Sequence, residues 1–356
     1  MSGPLTVGFV VGGRYEIKRY VDAGGMQFVY AANDSITDRL VALKTPKNQS
    51  ATKRFKRSAV VAAKVNHPNV AKTLDYVKEG DARYLIEEFI EGADMAKALL
   101  QKTRFLDPYL CAKVFHHLSK GVSAAHHAGV VHRDLKPTNV MVVGGYSLSE
   151  VKVTDFGIAK MADEELKEAA AGGTATMTTS QTAVGALPYM APEAIETPTE
   201  VGAKADIWSL GAMMFHLLSG EAPFGMGLRA VSAILAAETP TAPAFLTSNP
   251  QFAPLSRQVM ELALSCLKRD PDERPSADQL VAACGDLCYT STLRREGWIK
   301  RIDYGKYGFI RTAEEDVFFH MESVYGPDRL QVDDHVLFSS FDGGGADRAH
   351  PVLKLR

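Results

Sequence analysis

The chain is poor in cysteine, with four in 356 residues: Cys111, Cys266, Cys284 and Cys288. That is too few for a disulfide framework at this length, and a reducing, cytoplasmic compartment is the expectation. Cys284 and Cys288 sit four apart with no second Cys/His pair nearby, which predicts buried thiols on one helical face rather than half a metal site. An excess of one charge is missing too. The 40 Lys+Arg and 42 Asp+Glu leave a formal net charge of −2, so bulk charge advertises neither nucleic acid nor a membrane surface. No stretch approaches the ~18 apolar residues of a membrane span, and the N-terminus lacks the basic region and apolar core of a secretory leader. No internal repeat is found. What remains, 46% hydrophobic and 23% charged residues, is ordinary for a globular protein of two or three domains.

The most informative stretch is Val131-His132-Arg133-Asp134-Leu135-Lys136-Pro137-Thr138-Asn139-Val140-Met141, followed by Thr154-Asp155-Phe156-Gly157. It gathers a carboxylate, an ammonium and two hard-oxygen side chains in a short ordered span. The pattern H-R-D-L-K-P-x-N followed by D-F-G resembles the catalytic and metal-binding loops of eukaryotic-like Ser/Thr protein kinases. The resemblance implies an α+β, bilobal kinase fold. It casts Asp134 as acceptor of the substrate hydroxyl proton and Lys136 as a contact of the transferred phosphoryl group. Asn139 and Asp155 become ligands of Mg²⁺ or Mn²⁺ that accompanies ATP.

Companion motifs extend the resemblance over residues 14–288, about three quarters of the chain. An N-lobe of 14–88 and a C-lobe of 92–288 are expected. Val21-Asp22-Ala23-Gly24-Gly25-Met26-Gln27-Phe28-Val29 looks like the glycine-rich hairpin over the ATP phosphates. Leu40-Val41-Ala42-Leu43-Lys44 is an alternating strand ending in the lysine that pairs with the α and β phosphates. Val21, Gly24, Val29, Ala42 and Met141 are expected around the nucleotide, with the Glu88–Ile90 hinge on the adenine. Asp206 in Asp206-Ile207-Trp208-Ser209-Leu210-Gly211 is expected to brace the catalytic loop, and Arg274 to pair with Glu193 of Ala191-Pro192-Glu193. The paired histidines His116, His117, His126 and His127 are expected on a helix surface.

Four positions depart from the family pattern. Asp22 and Gln27 fill two of the three usual glycine positions, and Asp22 would bring negative charge near the nucleotide. Ser58 stands where a helix glutamate normally pairs with the lysine, and Ala186 where a threonine usually follows Gly185. Residues 45–66 contain no acidic side chain, so no shift of register restores the missing pair. A desolvated ammonium without a partner is costly, and Glu87, on the strand before the hinge, is the candidate substitute. These departures keep open a second reading, a weakly active or inactive scaffold that uses the fold for binding.

After Cys288 the pattern changes to short strands separated by Gly and Asp turns, which predicts a small β-barrel over residues 294–356. Lys306-Tyr307-Gly308-Phe309-Ile310 and Asp316-Val317-Phe318-Phe319-His320 resemble the two nucleic-acid-binding motifs of the cold-shock domain, a five-stranded OB-type barrel. Alternation puts Tyr307, Phe309, Phe318 and His320 on one face, a stacking platform for single-stranded DNA or RNA, with Lys300, Arg301 and Lys306 near the phosphates. The 10 Lys+Arg and 11 Asp+Glu of residues 294–356 limit counterion release, so binding would rest on stacking. The other reading uses the same aromatics to dock the kinase lobes or a partner protein.

Between Asp155 and Glu193, residues 169–186 are rich in Ala, Gly and Thr and carry no charge. Thr174, Thr176, Thr178, Thr179, Ser180 and Thr182 offer hydroxyls there, and Arg133 is the family position that pairs with a phosphorylated loop residue. Mass spectrometry of active protein is therefore expected to find phosphate between Thr174 and Thr182. A phosphate-free window in active protein would contradict this.

Overall fold

The computed structural model describes residues 4–23, 27–47, 55, 59–156, 185–290 and 292–356. The N-lobe is built on an antiparallel sheet. Its strands are β1 (Val10–Val11), β2 (Tyr15–Ala23), β3 (Gln27–Asp34), β4 (Arg39–Pro46), β5 (Thr73–Glu79) and β6 (Ala82–Glu88). They lie in the order β1-β2-β3-β4-β6-β5, so the sheet begins ahead of the predicted boundary at residue 14. Val41 and Leu43 of β4 join Ile17, Tyr30, Ala32 and Ile86 in the lobe's core. Ala42 and Lys44 point to the opposite face and are buried as well.

The C-lobe opens with a small sheet of β7 (Ala93–Asp94), β8 (Val140–Val143) and β9 (Glu150–Val153). Its main helices are α1 (Pro108–His127), α2 (Ala203–Ser219), α3 (Ala253–Cys266) and α4 (Ala277–Gly285). The Asp107 carboxylate caps α1 by accepting from Tyr109 N at 3.1 Å and Leu110 N at 3.2 Å, which satisfies two orphan donors of the first turn. Val114, Phe115, Leu118 and Val122 form its buried stripe. α2 is apolar on nearly every side and is buried accordingly. At Gly211 a Cβ would lie 2.5 Å from the Cys266 Cβ and 2.7 Å from the Ala263 carbonyl oxygen, so only glycine lets α2 and α3 meet.

Two expectations are corrected. Cys284 is buried, but Cys288 is exposed and lies beyond the end of α4, so the two thiols do not share a buried helical face. The α1 histidines are not simple surface groups. His116 meets Tyr289 Oη at 2.7 Å, His117 meets Asn69 at 3.0 Å and His126 meets the buried Asp206 at 2.9 Å. α1 runs through the middle of the lobe, so neighbours cover most of its sides; only His127, 2.8 Å from Asp278, is on the outside.

A closed barrel follows. Its strands are β10 (Arg295–Asp303), β11 (Tyr307–Arg311), β12 (Asp316–His320), β14 (His335–Phe341) and β15 (Arg348–Lys354), with the two-residue β13 (Val324–Tyr325) added beside β15. The order is β12-β11-β10-β14-β15, and β12 pairs back onto β15 to close it. Ile299, Ile310, Val317, Phe319, Val336, Phe338 and Val352 fill the interior.

The barrel enters the C-lobe core with residues other than those of its aromatic platform. Tyr325, Leu337, Leu353 and Leu355, from its other side, belong to the C-lobe core itself. The Tyr325 ring sits 5.8, 5.9 and 5.1 Å from the rings of Phe105, Phe245 and Phe252. His350 stacks on Phe252 at 5.1 Å. Arg294 Nη2 donates to both oxygens of Asp107 at 2.8 Å, and both side chains are almost wholly buried. One carboxylate thus caps α1 and ties down the entry to the barrel.

Because breaking a buried pair strands a charge at a cost of about 3–5 kcal/mol, Arg294→Ala is expected to lower the unfolding midpoint of the whole chain, followed by denaturant titration with probes in both parts. Loss confined to the barrel signal would contradict a shared core.

Candidate active site

The cleft between the lobes is organised around Lys44. β4 and β6 pair with Ala42 opposite Glu87 and Lys44 opposite Leu85. Lys44 and Glu87 are therefore diagonal neighbours on one face of the sheet, within reach of long side chains. Lys44 Nζ lies 2.6 Å from Glu87 Oε2 and 2.8 Å from Asp155 Oδ1. Ser58, Gly24, Gly157 and the threonines from Thr174 to Thr182 fall outside the described residues.

The catalytic loop is held from below. Buried Asp206 accepts from His132 N at 2.8 Å and Arg133 N at 2.7 Å. Arg133 adopts a left-handed φ of 67° and donates to the Val201 carbonyl at 2.8 Å. His132 meets the Thr154 carbonyl at 2.8 Å and packs edge-on against Phe156. These contacts fix the two motifs relative to each other. Thr154 N donates to the Asn139 carbonyl at 2.9 Å, which places Asn139 beside the strand that delivers Asp155.

Around Asp134 the polar groups converge. Lys136 Nζ donates to its two carboxylate oxygens at 2.9 and 2.8 Å, and Asn139 Nδ2 donates to the Asp134 carbonyl at 2.8 Å and to Oδ2 at 3.0 Å. With its amide nitrogen so engaged, Asn139 has its carbonyl oxygen left for other partners. On Asp155, Oδ1 takes Lys44 and Gln27 Nε2, each at 2.8 Å, whereas among the described residues Oδ2 has only Thr154 Oγ1 at 3.4 Å. Two hard oxygens, one amide and one carboxylate, suit Mg²⁺, which keeps several waters and completes its shell with substrate phosphates. Among the described residues no cluster of three or more His, Cys, Asp or Glu side chains forms an all-protein metal cage.

The other positions sort by burial. Ala42 is buried; Val29, Met141, Glu88 and Ile90 are half-buried; Val21 is exposed at the mouth. The Glu88 carboxylate turns out of the cleft, accepting from Lys72 N at 2.8 Å and Lys152 Nζ at 2.7 Å. Asp22 is paired. Its carboxylate accepts from Lys97 Nζ at 3.1 Å, across the cleft mouth. Burial works against its ionisation, but Lys97 and the Ala23 N–H hold its pKa below the ordinary value. Ala186 is buried, and Lys136 bonds Asp134 directly. The reach of Gln27 to Asp155 was missed from the sequence, where Gln27 registered only as a lost glycine.

Burial and charge set a clear order of ionisation. Burial pulls the Lys44 ammonium down, but Asp155 and then Glu87 more than offset it, and its pKa ends above the usual lysine value. Burial would raise Asp155, yet Lys44 and Gln27 together outweigh it and the carboxyl is lowered. Glu87 goes the other way: burial dominates, Lys44 compensates only in part, Asp155 adds to the rise, and the carboxyl sits above its usual 4.5. As pH falls, Glu87 is thus the first of the two to lose its charge, leaving Lys44 with one carboxylate. The acid limb of the pH profile of kcat/KM for ATP, which reports the free enzyme, is expected above pH 4.5 and is expected to move to lower pH in Glu87→Gln. An unmoved limb would contradict the pairing.

Comparison with known proteins agrees with this geometry. The model of the protein kinase domain family matches residues 15–283. The serine/threonine-protein kinase PrkC of Bacillus subtilis is 33% identical over 278 residues, 76% of this chain and 40% of its own length. A "Probable serine/threonine-protein kinase" of Streptomyces coelicolor is 33% identical over 313 residues, 83% of this chain and 44% of its own. The serine/threonine-protein kinase PknA of Corynebacterium glutamicum is 30% identical over 285 residues, covering 77% of this chain and 56% of its own. The chain thus spans less than half the length of the first two. With a lysine-anchored cleft, Asp134, Lys136 and Asn139 gathered in one cluster and a family match over residues 15–283, the chain belongs to the protein kinase domain family.

Proposed function

We propose that the chain is a Ser/Thr protein kinase that transfers the γ-phosphoryl group of ATP to a protein hydroxyl, its own loop at Thr174–Thr182 included. The observation that carries this reading is Lys44, buried and held between Glu87 and Asp155 opposite the Asp134–Lys136–Asn139 cluster. An inert scaffold has no need to keep an ammonium buried at that position. In the reaction, the substrate hydroxyl oxygen forms the new bond to the γ-phosphorus, the bond to the β–γ bridging oxygen breaks, and ADP leaves. Asp134 takes the hydroxyl proton. Lys136, already on Asp134, is placed to follow charge onto the transferred group, and Lys44 steadies the α and β phosphates. Mg²⁺ or Mn²⁺, held through Asn139 and Asp155, would neutralise charge on the phosphates.

For the barrel we propose single-stranded DNA or RNA binding, and one observation favours it over protein docking. The strand register lines up Arg301 with Phe309, Phe309 with Phe318, Phe318 with Arg348 and Arg348 with Phe341. Directly opposed residues share a sheet face, so cationic and aromatic side chains form one row around the outside. The Arg301 guanidinium lies 4.6 Å from the Phe309 ring centre. Tyr307 and Phe318 pack with their centroids 5.7 Å apart, and His320 is exposed beside them. Lys300 contributes less charge than its sequence promised, because it is paired with Asp316. Arg348 and Phe341 extend the platform beyond the residues legible as a motif. Stacking planes flanked by guanidinium groups suit bases joined by phosphates.

Two measurements test these readings. Radiolabelled ATP with Mg²⁺ is expected to label the chain, and Asp134→Asn is expected to lower incorporation by about 10²–10⁴-fold, the usual worth of a general base. No incorporation in the parent chain would contradict kinase activity and favour the scaffold. Phe318→Ala is expected to weaken oligonucleotide binding by about 1–3 kcal/mol, one stacked base. Equal affinities would return the barrel to a docking role.

A further inference from the structure

Gln27 occupies a position where the resemblance calls for glycine, and its environment suggests a use. It is the first residue of β3, and the register runs Gln27 opposite Pro46 and Val29 opposite Lys44. Gln27 therefore shares the cleft face of the sheet with Lys44, one row nearer the tip of the hairpin. The two side chains converge on the same atom, Asp155 Oδ1, each at 2.8 Å. Gln27 is 7% exposed. Its amide orientation is determined by its neighbour, since the reverse flip would set a carbonyl oxygen against a carboxylate.

That orientation leaves Gln27 Oε1 buried without a hydrogen-bond partner among the described residues. Buried polar atoms are seldom left so, and each orphan carries the desolvation cost of a lost bond. A carboxamide oxygen is a hard ligand of the kind Mg²⁺ accepts, directly or through one of its waters. It belongs to the same amide that touches Asp155, whose Oδ2 has, among the described residues, only the Thr154 hydroxyl at 3.4 Å. The hairpin residue that departs from the family pattern thus brings a spare oxygen to the metal-binding aspartate.

We propose that Gln27 is a cation-positioning residue: its N–H holds Asp155, and its carbonyl oxygen receives the nucleotide-bound divalent cation or a water on it. This rests on the kinase reading and adds a third protein oxygen, from the N-lobe, to Asn139 and Asp155 of the C-lobe. It also gives the substitution of a glycine a positive role rather than a mere loss of phosphate contact. The competing role is a lid, in which Gln27 blocks an empty phosphate site and must be displaced. The two differ in sign: removing a positioning residue weakens cation binding, and removing a lid strengthens it.

The test is a titration of the full chain with Mn²⁺ in the presence of a non-hydrolysable ATP analogue, with bound cation read by electron paramagnetic resonance. Gln27→Ala is expected to raise the Mn²⁺ dissociation constant about tenfold, as loss of an outer-shell partner does. Gln27→Glu, which keeps an oxygen, is expected to bind Mn²⁺ at least as tightly as the parent. Gln27→Ala gives up both the orphan oxygen and the bond to Asp155, and it is expected to stay folded at the temperature of the titration, which a thermal melt checks and which separates metal loss from unfolding. An unchanged or lower Mn²⁺ dissociation constant in Gln27→Ala, with the parent still binding the analogue, overturns the assignment and leaves the kinase reading standing. A parent chain that binds neither cation nor analogue overturns both.

Discussion

The cleft depends on one ammonium. Lys44 is buried, and a buried cation persists only when opposite charge compensates its lost hydration. Two carboxylates do so, Glu87 at 2.6 Å from within the same sheet and Asp155 at 2.8 Å from the other lobe. The second contact is also a link between lobes: it sets Asp155 at a fixed distance from the strand that carries the lysine. Glu87 differs in kind from a helix glutamate. A carboxylate on a helix moves with that helix, whereas one on β6 moves with the sheet and keeps its distance to β4. The orientation of the lysine is therefore tied to the rigid part of the N-lobe.

The barrel is similarly integrated. Arg294 Nη2 donates to both oxygens of the buried Asp107 carboxylate at the start of α1, and Tyr325 completes an aromatic cluster with Phe105, Phe245 and Phe252. Four barrel side chains in the C-lobe core, at about 1.5–3 kcal/mol each for full burial, make the two parts share a single apolar interior. The barrel residues that enter the C-lobe core are distinct from those of the aromatic row, and one edge of that row meets the C-lobe. His320 and Phe318 lie beside Gln251 of the C-lobe, at the edge of a pocket of about 290 Å³.

Linear motifs carried most of what could be read in advance. The catalytic loop, the Asp155 motif and the strand ending at Lys44 need only short spans, because their geometry is local. The lack of any acid between residues 45 and 66 required a partner for Lys44 from elsewhere, and the place of Glu87 on the strand before the hinge made it the candidate. The barrel could be read from period-2 alternation, and its inward Ile310, Val317 and Phe319 follow that period. What was hidden is long-range. Gln27 and Asp155 are 128 positions apart, and Asp107 and Arg294 are 187 apart; neither pair has a spacing rule. Cys288 misled because α4 ends at Gly285, before the helical spacing could place both thiols inside. Arg348 and Phe341 were invisible as part of the platform because strand closure, β12 onto β15, aligns them.

The central claim is that Glu87 holds Lys44 for the nucleotide, and a double-mutant cycle tests it most directly. Affinity for a non-hydrolysable ATP analogue is measured for the parent, Lys44→Met, Glu87→Gln and the double variant. The account predicts strong non-additivity, with the double variant no weaker than Lys44→Met alone and a coupling in the range of about 0.5–3 kcal/mol for contacting residues. Losses that simply add would mean that the two side chains act independently, and the claim would be wrong.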